Sequence, residues 1–129
     1  VLLGLAGRAG SASHAEATGR LLSRIGPAYA SALSIMVPEE PHTPEATLRA
    51  VPEDSPWYEL EPLELVAELR TLVEHLHCAD TTFRSNHASN FLPIGGRLPH
   101  DRAAMLSLID TVLSTGREDL LRPSWMRGL

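Results

Sequence analysis

Thr81-Thr82-Phe83-Arg84-Ser85-Asn86-His87-Ala88-Ser89-Asn90-Phe91-Leu92-Pro93-Ile94-Gly95-Gly96-Arg97-Leu98-Pro99 is the stretch on which the reading of this chain turns. It opens as a β-prone run, Thr81 to Phe83, and then changes chemistry abruptly. Arg84, Ser85, Asn86, His87, Ser89 and Asn90 place six polar side chains in seven positions. Behind them, Phe91 to Gly96 are apolar or flexible. A surface loop favours Asp, Glu, Lys and Gly with no apolar run behind it. A strand whose end opens into a ligand cavity has the composition found here. The expectation is that this strand end faces a bound molecule.

The residue chemistry has two readings. Arg84 either snorkels outward or offers its planar fork to a carboxylate or phosphate. Asn86 and Asn90 donate and accept at once, which suits the edge of a base or an amide. His87 is an acid or base without a visible carboxylate partner. In the other reading these side chains bond one another and the loop backbone, fixing how the chain leaves the strand. Physical chemistry alone leaves the two level.

Upstream, Val1 to Leu5 reads as a short buried strand, followed by glycines at 4, 7 and 10. That G-x-x-G-x-x-G spacing is neither a dinucleotide fingerprint nor a P-loop, and a tight turn explains it. Ser13 and Glu16 have the spacing of a capping box, opening a helix to Ile25 with Ala17, Leu21, Leu22 and Ile25 on its buried face. Gly26-Pro27 ends it. Tyr29 to Val37 is the second strand, its small residues pointing to a sheet covered on both faces. Ser34 within it is either a cavity residue or a serine bonded to backbone. Pro38 to Pro56 holds five of the ten prolines, reads as a long loop with a helical turn at most over Glu45–Ala50, and is expected to be mobile.

Glu61-Pro62 opens a third segment, helical, with Leu63, Val66, Leu69, Val73 and Leu76 inward. Glu64, Glu68, Arg70 and Glu74 are assigned to its outer face. His75, His77 and Cys78 at its end, with His87, invite a metal-hydrolase hypothesis, but a helix-terminal His also complements the dipole. Asp101 caps the last long helix, with Met105, Leu108, Ile109, Val112 and Leu113 inward and Gly116 as its stop. The tail from Leu120 is expected to lie across the domain with Trp125 covering an apolar edge.

The 129 residues suit one domain with a real core, 43% hydrophobic and 21% charged. A net charge of −5 argues against a non-specific nucleic-acid binder. One cysteine excludes an internal disulfide. No apolar run approaches the roughly 20 residues of a membrane span, and Val1-Leu2-Leu3-Gly4-Leu5 lacks a signal-peptide pattern. The cytoplasm is the expected compartment. The chain opens at Val1 in an apolar run, which reads as a piece of a longer protein.

Strand and helix alternate three times, the pattern of an α/β fold with a parallel sheet: about three β/α units, as a small open sheet or a partial (β/α) barrel. Ligands of both bind at the carboxyl ends of strands. Here those ends are the glycine turn, the loop at Pro38 and the run from Arg84 to Asn90.

Arg84-Ser85-Asn86-His87-Ala88-Ser89-Asn90-Phe91-Leu92-Pro93-Ile94, with Gly96, Leu98-Pro99 and Asp101 after it, resembles the C-terminal part of a group of radical S-adenosylmethionine (radical SAM) proteins. Gly4-Leu5-Ala6-Gly7, Ser13-His14-Ala15, Ala32 to Pro38, and Leu121-Arg122-Pro123-Ser124-Trp125 agree in order and spacing. The resemblance covers nearly the whole chain. It implies that residues 1–129 are the second half of a barrel binding S-adenosylmethionine and a four-iron four-sulfur cluster. Arg84, Ser85, Asn86, His87, Asn90 and Ser34 would line the cofactor and substrate cavity, and the catalytic residues are left unassigned. The implied partners are the missing N-terminal half of the barrel and a small-molecule substrate.

The chain departs from the group at Ala6, where a second glycine is usual, and at Glu39-Glu40, where Gly-Thr-Pro is expected. It also lacks the Cys-x3-Cys-x2-Cys loop that ligates the cluster, so the parent protein reads as the enzyme and this chain alone does not. The alternative from another class is a non-catalytic binding or scaffold α/β domain. Either way, open sheet edges predict self-association of the isolated chain.

Overall fold

The computed structural model describes residues 1–36 and 60–128. The sequence of elements is β1 (Leu2–Leu3), α1 (Gly7–Ile25), β2 (Tyr29–Ser31), β3 (Leu33–Ser34), α2 (Pro62–Glu74), β4 (Thr81–Arg84), β5 (Gly95–Leu98) and α3 (Arg102–Thr115). Two single 3-10 turns, Glu118–Leu120 and Ser124–Met126, close the chain. The expected loop Pro38–Pro56, with its turn at Glu45–Ala50, lies outside the described residues.

The fold is mixed α/β. β1 pairs with β3 and β2 with β4, both in parallel, and β5 lies antiparallel on β4. β2 and β3 are one run of chain that changes partner at Ala32. Its first half lies against β4 and its second against β1, while the Ala32 N–H still donates to the Arg84 carbonyl at 2.9 Å. Three parallel strand directions therefore lie side by side in chain order, as the alternation predicted, and the sheet is not closed. β5 was not foreseen. Its Gly95-Gly96 carries no strand signal, and the pairing comes from the tight return after Asn90.

Side chains alternate across the sheet. Leu3, Ala30, Ala32, Ser34, Thr81, Phe83 and Leu98 are buried, while Leu2, Tyr29, Arg84 and Arg97 at alternate positions are exposed. Among the described residues one face is therefore buried under the helices and the other is the more exposed, where the sequence pointed to two covered faces. The core lies between the covered face and α2, where Leu65, Val66, Leu69, Leu72 and Val73 are all buried.

α1 corrects several expectations. It starts at Gly7, because Gly4 and Gly7 take positive φ (84° and 62°) and turn the chain directly out of β1. Ser13 is therefore inside the helix, donating to the Gly10 carbonyl at 2.9 Å, and not its cap. The buried face is the small-residue stripe Gly7, Ser11, Ala15 and Gly19, four apart each time. Leu21 and Ile25 are 55% and 63% exposed. The cause is close packing: a Cβ on Gly19 would lie 2.8 Å from the His75 Cβ and 2.9 Å from the Leu72 carbonyl oxygen.

On α2, Arg70 and Glu74 pair on the outside as expected, but Glu68 is buried at 2% exposure. On α3, Met105, Ile109 and Val112 are buried while Leu108 faces outward. Trp125 is 82% exposed and covers no apolar edge. No helix among the described residues is long and apolar enough to cross a membrane.

Candidate functional site

The carboxyl ends of β1, β3 and β4 converge. The Ile35 N–H donates to the Leu3 carbonyl, and the Ser34 N–H donates to the Ser89 Oγ at 3.1 Å. Strand pleating then divides the six candidate residues. Ser34, Ser85 and Asn90 turn towards the helix layer and are buried; Arg84, Asn86 and His87 are exposed.

The buried group joins the loop to β3. Ser34 Oγ donates to Asn90 Oδ1 at 2.9 Å, and Asn90 Nδ2 donates to the Ala32 carbonyl at 2.7 Å. The Ser85 N–H donates to the Ile94 carbonyl at 2.7 Å, but its Oγ is buried without a hydrogen-bond partner. That hydroxyl borders a cavity of about 10 Å³ between Leu3, Ser34, Leu69, Asn90 and Phe91, roughly the space of one water.

The exposed group makes the rim. No ion pair engages the Arg84 guanidinium among the described residues. His87 Nδ1 lies 2.9 Å from Ser89 Oγ. Ser89 is itself 1% exposed, so this contact fixes the ring and does not prepare a nucleophile. An exposed guanidinium, amide and imidazole are groups that can hold an anionic or hydrogen-bonding ligand.

Two residues that sequence reasoning passed over shape this loop. Arg122 Nη1 donates to the carbonyls of His87, Ala88 and Asn90 at 2.7, 2.9 and 2.7 Å. Arg127 Nε donates to the Ser89 carbonyl at 2.7 Å, and its guanidinium stacks 3.9 Å from the centre of the Phe91 ring. The available signal was arginine recurring in an apolar tail, where a five-donor fork suits backbone oxygens as well as carboxylates. A third residue is Glu68, whose Oε2 accepts the Gly4 N–H at 2.9 Å in the turn after β1. Its Oε1 lies 3.2 Å from His14 Nδ1, which ties His14 of α1 to α2. Nearby, the Arg8 guanidinium holds the Glu64 carboxyl below its ordinary value.

The metal hypothesis finds no converging set. His75 Nδ1 lies 2.9 Å from the Thr71 carbonyl, and the buried Cys78 Sγ donates to the Leu22 carbonyl. Among the described residues no three His, Cys, Asp or Glu side chains are placed to hold a metal ion.

No family model matches this chain, and no curated protein or solved structure matches it either. The functional reading therefore rests on the rim and on the resemblance of the Arg84–Ile94 run.

Proposed function

We propose that the chain is the C-terminal half of a radical SAM enzyme, a partial (β/α) barrel whose strand ends line the S-adenosylmethionine and substrate cavity. The observation that carries this reading is the winding among the described residues: parallel strands follow chain order, one face is buried under helix, and the other, more exposed face bears Arg84 at its carboxyl end. A doubly wound sheet puts helices on both faces, whereas a barrel segment has all of them outside and an inner face free for a ligand.

The four-iron four-sulfur cluster does not fit this chain. Its only cysteine, Cys78, is buried against a backbone carbonyl, and such a cluster needs several thiolates. Cluster ligation belongs to the missing N-terminal half, and the chain is not active alone. Within this reading Arg84, Asn86 and His87 contact cofactor or substrate. Ser34, Ser85 and Asn90 support the rim from behind.

The test is the coding sequence ahead of Val1. An in-frame Cys-x3-Cys-x2-Cys supports the proposal, and a reading frame that opens at Val1 refutes it. The second reading, a non-catalytic scaffold domain, is favoured by the inward bonds of Ser34, Ser89 and Asn90, which use up part of the polar run. It predicts no rise in melting temperature with millimolar S-adenosylmethionine, and no rise in the whole protein either.

A further inference from the structure

Among the described residues β5 is the outer strand of its sheet, and outer strands pair with other chains unless something prevents it. Gly95 and Gly96 present no side chains as obstacles. The Ser85 N–H bonds the Ile94 carbonyl, and antiparallel pairing alternates from there. Gly96 and Leu98 therefore direct their backbone groups to β4, while Gly95 and Arg97 direct theirs outward. Beside this edge runs an open groove lined by Pro93, Ile94, Ala104, Met105 and Leu108, with Leu108 47% exposed.

A second β5, antiparallel about a two-fold axis at Gly96, would pair Arg97 of each copy with Gly95 of the other.

In the chain as it stands, both outward groups of Arg97 are already taken. Asp101 Oδ2 accepts the Arg97 N–H at 2.8 Å, and the Asp101 N–H donates to the Arg97 carbonyl at 2.8 Å. Gly96 makes room for this, since a Cβ there would fall 2.5 Å from the Asp101 Cβ. We infer that Asp101 is an edge guard, which keeps β5 from pairing with β5 of a second copy of this chain. The guard acts whatever ligand the rim takes.

Sedimentation equilibrium at matched concentration and neutral pH tests it, with amide exchange at Gly95 and Arg97 as a local readout. Asp101→Ala, which removes the carboxylate, and Gly96→Ala, which displaces it, are each expected to strengthen self-association at least tenfold over the unaltered chain. Slowed exchange at Gly95 accompanies that gain. Asp101→Asn, whose Oδ1 still accepts the Arg97 N–H, is expected to behave as the unaltered chain does. Should Asp101→Ala unfold, Asp101→Ser, whose shorter side chain falls short of the Arg97 N–H while keeping a hydroxyl that suits the first turn of α3, gives the same comparison. Guard variants that sediment like the unaltered chain, with the Gly95 amide still exchanging freely, overturn the inference.

Discussion

Replacing Asn90 with Ala removes a side chain that is 2% exposed and joins the polar loop to the end of β3. Two hydrogen bonds go, those to Ser34 Oγ and to the Ala32 carbonyl. Each contributes about 1 kcal/mol net, and a buried group left unpaired costs about 1–3 kcal/mol. The expected destabilisation is about 2–4 kcal/mol, a large part of the roughly 5–15 kcal/mol that holds a domain together. Urea unfolding followed by far-ultraviolet circular dichroism reads this as a midpoint lowered by about 1–2 M at the usual slope. Asn86→Ala, on the exposed rim, is the control and is expected to stay within about 0.5 kcal/mol. Ser34→Ala completes a double-mutant cycle, with a coupling of about 0.5–3 kcal/mol expected for residues in direct contact. An Asn90→Ala midpoint no lower than that of Asn86→Ala, with additive effects in the cycle, refutes the division into buried support and exposed rim.

Gly19→Val should cost about 1–3 kcal/mol by overpacking α1 against α2, read in the same urea experiment; an unchanged midpoint would show the two helices are further apart than described. Ser85→Ala deletes a hydroxyl that has no protein partner, so it should be neutral or stabilising by about 1 kcal/mol. A loss of that size would instead place a bound water in the adjoining cavity. Glu64, Asp101 and Asp119 are all held below their ordinary values, by hydrogen bonds from Arg8, the Arg97 backbone and Arg117 respectively. Depressed carboxyls stabilise fully above their unfolded values and lose that contribution as pH falls through the folded ones. Stability should therefore hold from neutrality down to about pH 5 and decline below about pH 4; a urea midpoint that climbs on acidification contradicts the assignment.

The order of parallel strands was legible because Val1–Leu5, Tyr29–Val37 and Thr81–Phe83 are apolar or β-branched runs separated by helical periodicity. The inner face of α1 was not. Hydrophobicity pointed to Leu21 and Ile25, whereas close helix packing selected Gly19 and Ala15, a preference that appears only once α2 is in place. Glu68 was misassigned for a related reason. A glutamate at helical spacing looks solvated until the turn at Gly4 presents an N–H that needs an acceptor. At the rim, composition identified the polar run but could not separate its two faces. The division of Ser85 from Arg84 depends on where the pleat stands, and one residue of register exchanges the sets.

Arg122 and Arg127 reach back more than thirty positions to grip the oxygen atoms of residues 87–90. A chain made from its amino end exposes that loop well before its clamps exist. The sheet and α2 have time to form first, and the loop is held in place only once residues 122–127 have left the ribosome. Replacing both arginines with alanine would then hold the molecule at a folded but unset stage, separating the scaffold from the loop it carries.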